Sequence, residues 1–200
     1  MLRLDRSRFS SHQIRPMDVG RIRLLGMNSD VWKRHASGWS VWTRFASLPF
    51  LYLAVWSHTV YGWLTAAGFT AAVIVWLWLN PRLFPAPKTF ESWHARAVLG
   101  ERVWLNRTAI PVPHDENRKA LALSAVAGIG FFVGIWGAIS GSMPMMVTGA
   151  AVTYAGKLAF LAVMVRIYDL MRNAHPLYSS WTLSPENDNE RSGDRHRRAG

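Results

Sequence analysis

The chain contains no cysteine. Disulfides, thiolate zinc sites, thiol redox chemistry and a cysteine nucleophile are therefore excluded, although the absence carries no information about compartment. Acidic residues are few, 12 Asp and Glu against 23 Lys and Arg, which leaves a formal charge of +11. Asp, Glu, Lys and Arg are all missing from two windows, Phe45 to Pro81 and Ala120 to Gly156, each 37 residues long. Also missing are a glycine-rich phosphate loop after a strand, a paired acidic motif and a ligand spacing that suits a metal ion. No cofactor and no metal is expected, and no motif decides an activity.

What is present is apolar length. One helix crosses a bilayer with about 20 apolar residues. Each window is too long for one crossing and long enough for two short helices joined by a tight turn. The expected fold is all-α, with four transmembrane helices arranged as two helical hairpins. Arg44 and Arg82 bracket the first window, Lys119 and Lys157 the second. Nine of the 23 basic residues lie in residues 1–44, seven in 82–119 and seven in 157–200. With each window folded as a hairpin, all of them fall on one side of the membrane or at its edge. The positive-inside bias makes that side the cytoplasm. The expectation is a multi-pass protein of the cell membrane with cytoplasmic N- and C-termini and outer turns near Ser57–Gly62 and Ile139–Pro144. Its basicity then meets the anionic headgroups of the inner leaflet of the lipid bilayer, not nucleic acid.

The spans are placed at about 46–60, 61–80, 120–139 and 145–168. Pro49 falls in the first turn of the first span. Asn80-Pro81 ends the second, because proline disfavours helical geometry in the residue before it. Pro144 is positioned to start the fourth. The 11 tryptophans suit the headgroup layer, where an indole is half buried. Two interfacial amphipathic helices are expected. One covers about 30–44, with Trp32, Ala36 and Trp39 at helical spacing; the other covers about 89–106, with Phe90, Trp93, Ala97 and Trp104 near one face. Thr89 is the expected cap of the second helix and Gly100 its expected break. Residues 1–27 read as a flexible basic extension without the apolar region of a signal peptide, and Met27 is a second candidate start. Residues 28–172 form the membrane domain, and 173–200 a disordered polar tail.

The run Val31-Trp32-Lys33-Arg34-His35-Ala36, with Trp39-Ser40-Val41-Trp42-Thr43-Arg44 after it, belongs to a wider pattern. Together with Trp78-Leu79-Asn80-Pro81-Arg82-Leu83-Phe84-Pro85, Ala97 to Trp104 and Tyr154-Ala155-Gly156-Lys157-Leu158, it resembles a family of small prokaryotic membrane proteins catalogued as a domain of unknown function. The resemblance covers roughly residues 28–172. It implies a membrane protein and brings neither an activity nor catalytic residues with it.

Small residues recur four apart at Gly130 and Gly134, at Gly137 and Gly141, and at Ala151 and Ala155. They mark the expected helix-packing seam of the second hairpin, since close backbone approach helps helices associate in lipid. Lys157 lies about 18 Å along the fourth span from Met145. Intramembrane charges are costly and so are candidates for function; the alternative is a stem that snorkels to the inner headgroups. No span contains Asp or Glu, so the expected partner is a hydroxyl such as Tyr52 or Tyr154, a carbonyl or a lipid phosphate. Arg166, Asp169 and Arg172 read as an ion-pair ladder along one helix, and His58 as a solvated turn residue. His94, Glu101, Arg102 and Asn106, with Arg107 and His114, are candidates for an inner-leaflet site in which histidine is a base and arginine holds phosphate.

Three functions follow. The leading one is a non-enzymatic structural or partner-binding membrane component, its partner a second copy or another membrane protein. The second is a small oligomeric transporter or channel subunit using Lys157. The third is an inner-leaflet lipid-active enzyme using the 88–114 segment.

Overall fold

A computed structural model of the chain describes residues 29–174 and residue 178. The 1–27 extension, the choice of Met1 or Met27 as start and the tail beyond residue 178 lie outside the described residues. Among the described residues there are six helices and no strand: α1 (Ser29–His35), α2 (Gly38–Trp56), α3 (His58–Leu83), α4 (Trp93–Leu105), α5 (His114–Ile139) and α6 (Met143–Met171). Three of them, α3, α5 and α6, are long and apolar enough to cross a membrane. That is the make-up of a membrane protein. α2 is not among the three; Ser40, Thr43, Arg44 and Ser47 make its first half polar.

The expected 30–44 helix is divided. Ser37 is extended (φ −61, ψ 136), and α2 then runs unbroken from Gly38. Arg44 and the stretch expected as the first span therefore share one helix, and Pro49 sits deep inside it, not in a first turn. A proline there has no N–H for the carbonyl four residues back. That leaves the Phe45 carbonyl open, and Tyr154 of α6 donates its hydroxyl to it at 2.7 Å.

α3 is interrupted at Gly62, whose φ of 78° suits glycine, so its long regular part begins at Trp63. His58 does not stand free in a solvated turn: its ring stacks on Trp63 with centroids 3.9 Å apart. Nor does Asn80-Pro81 end the helix, which continues to Leu83. Asn80 is buried and ties α3 to α2, accepting from the Ser40 hydroxyl at 2.8 Å and donating to Thr43 Oγ1 at 2.6 Å.

α5 follows Pro113, with Asp115 and Glu116 in its first turn, where acids meet the positive end of the helix dipole. Gly141, at φ 71°, closes it by letting the Ser142 N–H return to the Gly137 carbonyl at 2.8 Å. α6 then packs back along α5. Of the six residues expected at this seam, Gly130, Gly134 and Gly137 are in it. A Cβ on Gly130 would stand 2.6 Å from the Thr153 nitrogen, and Gly134 meets Gly149 backbone to backbone. Ala151 and Ala155 are exposed instead. The α6 side is made by Gly149, Thr153 and Gly156, one face round from the alanines.

The expected 89–106 helix is present as α4, with shifted details. α4 starts after Ser92, not Thr89, and is continuous through Gly100. Gly100 is a contact, not a break: a Cβ there would collide with the Met164 carbonyl. Arg96 pairs with Asp169 at 3.1 Å, Glu101 with Lys157 at 3.2 Å, and the Trp104 ring meets Phe160 at 5.6 Å between centroids. Residue numbers rise along α4 as they fall along α6, so α4 lies antiparallel to the second half of α6. Ala95, Ala97, Val98, Leu99 and Val103 are all buried. α4 is clamped lengthwise along α6, with Trp32 and Ala36 of the α1 region packed on its other side.

The ladder expected on α6 pairs outward as well: Arg166 reaches Glu116 of α5 at 3.3 Å, and Asp169 reaches Arg96 of α4. Tyr178, which falls in the tail expected from 173, is fully buried in the core shared by α4, α5 and α6.

Candidate functional site

α1, α2, α4 and α6 converge on a cavity of about 420 Å³. Each helix contributes one stripe at helical spacing. α1 brings Trp32 and His35, α2 brings Val41, Arg44, Phe45 and Leu48, α4 brings Val98, Glu101 and Leu105, and α6 brings Tyr154, Lys157 and Leu161, with Thr153 beside them. The walls are thus largely apolar, and the ionisable groups sit at the centre of the stripes.

Lys157 Nζ lies 3.2 Å from Glu101 Oε1 and 4.6 Å from the centroid of the Phe160 ring. Its counter-ion therefore comes from α4. The two tyrosines considered as partners are engaged elsewhere: Tyr154 donates to Phe45 O, and Tyr52 to Phe131 O at 3.3 Å. Arg44 is held back against the start of its own helix. Its Nε donates to Ser40 O at 2.9 Å and its Nη2 to His35 O at 3.2 Å. Its Nη1 lies 2.7 Å from both ring nitrogens of His35.

A guanidinium only donates, so the His35 ring must offer a lone pair and stay neutral. The electrostatics agree. Burial first, then the charges of Arg44 and Lys157, push the pKa of His35 from 6.5 down to about 2. The cavity accordingly contains two cations, one anion and an uncharged imidazole. It can hold a negatively charged group against Arg44 and Lys157 and an apolar group against its walls.

Of the sequence candidates, Lys157 and Glu101 are brought together here. His94, Arg102 and Asn106 are not among the residues that line the cavity. His94 lies at the start of α4, 3.0 Å from Ser92 Oγ and packed against Gly38, with its pKa lowered by burial. Arg102 turns to the Trp32 ring, 5.9 Å from its centroid, and burial lowers its pKa to about 10. Asn106 caps the end of α4, its N–H bonded to Arg102 O at 3.3 Å. His35 and Arg44 were missed. Arg44 is the last charge before the first window and reads from sequence as a flank. The available signal was its apolar stripe, since Val41, Phe45 and Leu48 place it on a packed face of α2.

No curated protein and no solved structure matches the chain. One family matches residues 17–186, beyond both ends of the domain expected from sequence; the chain belongs to DUF6653, a family of unknown function.

Proposed function

We propose that this is a multi-pass protein of the cell membrane that holds an anionic amphiphile at the inner leaflet without catalysing a reaction on it. The cavity carries the proposal: a pair of cations set into apolar walls, inside the size range of about 300–1,000 Å³ typical of small-molecule sites. Arg44 and Lys157 take the headgroup; Leu48, Phe45 and Leu161 take the start of the chain.

In this reading α2 is the fourth span, paired with α3 as one hairpin, while α5 and α6 form the other. The stretch from Phe45 to Trp56 supplies about 18 Å of apolar helix. That is short against a hydrocarbon core of about 30 Å, so Arg44 marks the inner edge of the bilayer there or the bilayer thins around it. Lys157 lies about 21 Å along α6 from Met143, on the inner side of the midplane. α1 and α4 are cytoplasmic and roof the cavity, and the basic residues bracketing the windows support that orientation. An enzyme built on the 88–114 segment has less support, since of the candidates His94, Glu101, Arg102 and Asn106 only Glu101 lines the cavity.

Topology is testable because the chain has no cysteine. Ser142→Cys should react with an impermeant thiol reagent on intact cells; labelling only after permeabilisation overturns the orientation. For binding, native mass spectrometry of the protein extracted in nonionic detergent should show anionic amphiphile adducts that Arg44→Gln and Lys157→Gln diminish. Equal adducts on all three proteins would place the ligand elsewhere.

A further inference from the structure

The charges of the cavity specify more than the sign of its ligand. Arg44 and Lys157 contribute two positive charges and Glu101 one negative charge, with Glu101 3.2 Å from Lys157. His35 contributes none while it accepts from Arg44. Arg102, the neighbour of Glu101 in sequence, directs its guanidinium to Trp32 and is not part of the lining. One positive charge is therefore left over among apolar walls, where an uncompensated charge is costly.

We infer that the cavity selects amphiphiles with a single negative charge, a carboxylate or a phosphodiester, and that Glu101 acts as a built-in second anion that sets this limit. The inference rests on the amphiphile-binding reading above. A monoanion brings the enclosed charge to zero, with the charge of Arg44, held in place by Ser40 and His35, on one side and Lys157 shared between it and Glu101. A dianion would crowd against Glu101 and leave the cavity negative, and like charges placed together in such a site cost several kcal/mol. A neutral amphiphile would leave the surplus positive charge unmatched.

The test uses the full chain in nonionic detergent at about pH 8, where an alkyl phosphate is largely dianionic, since its second pKa lies near 6. Native mass spectrometry with an equimolar mixture of dodecanoate and dodecyl phosphate should favour the dodecanoate adduct by about tenfold. Glu101→Gln should bring the ratio near one or reverse it. Lys157→Gln, which removes a cation and leaves Glu101 facing Arg44, should instead favour dodecanol over dodecanoate. Equal binding of both anions by the native chain, or a ratio that neither variant moves, overturns the charge rule and leaves the binding site standing. Acetate stabilising the protein as well as dodecanoate, or no dodecyl adduct of any charge, overturns the amphiphile reading itself and the charge rule with it.

Discussion

α3 and α6 have nearly the same mean hydropathy, 1.6 and 1.5, and opposite surroundings. Of the apolar window of α3 only 6% is buried within the chain, against 39% for α6. The difference lies in backbone approach, not in hydrophobicity. Lipid tails are as apolar as any leucine, so apolar surface alone does not bring two membrane helices together. α6 carries Gly149 and Gly156 against α5 and receives Gly100 of α4, each at a spacing that leaves no room for a Cβ. The Gly68 of α3 has open space around it. α3 is held mainly at one end, by Asn80 to α2 and by Arg34 of α1 to the Arg82 carbonyl at 3.2 Å, while Leu64, Phe69 and Ile74 face outward. In a bilayer that outer face meets acyl chains.

The contrast predicts where single substitutions act. Gly100→Ala drives a methyl into the Met164 carbonyl and should cost about 3 kcal/mol, read as a lower melting temperature in detergent with loss of the Lys157–Glu101 pairing. Native-like stability would mean that α4 is not seated on α6. Tyr154→Phe comes next. It strips the Phe45 carbonyl of its donor beside Pro49 and should cost about 2 kcal/mol, while Tyr61→Phe on exposed α3 should be silent; equal effects would remove the special role of Tyr154.

His35 gives a pH signature. Its folded pKa of about 2 lies below its ordinary 6.5, so unfolding takes up a proton once the pH drops below about 6.5. Stability should be flat above that value and fall beneath it by up to about 1.4 kcal/mol per pH unit. Thermal melts of His35→Gln should lose that component of the slope, and an unchanged slope assigns it to another group. Gly68→Ala should move stability by less than about 0.5 kcal/mol in either direction; a large loss would reveal a partner packed on α3.

Several elements were legible because their signal is local. The turn at Gly141 and the apolar middles of α3, α5 and α6 follow from apolar runs broken by glycine, serine and proline, although each helix runs past the bounds expected for it. Gly130 and Gly134 were legible for a similar reason, as small residues one turn apart. Ala151 and Ala155 failed because small residues four apart can lie on any face, and only the partner helix says which face is used. Asn80 reads as a helix stop because a proline follows it, yet Ser40 and Thr43 on α2 turn its amide into a cross-link. Gly100 reads as a break because glycine is a poor helix former, yet the carbonyl it meets belongs to a residue far along the chain.

The sequence by itself determined that this is an all-helical chain with membrane-length apolar segments bracketed by arginine and lysine, since length, composition and charge order are properties of the chain read end to end. It also singled out Lys157, because a lysine next to a charge-free window has to be accounted for. Only the tertiary structure decided what Lys157 meets. Glu101 lies in a segment that reads as a surface helix, and Arg44 and His35 lie beside a different window. The lengthwise packing of α4 on α6 brings Glu101 to 3.2 Å from Lys157, Arg44 and His35 line the same cavity, and the net charge they leave there exists only once four stripes from four helices face one another.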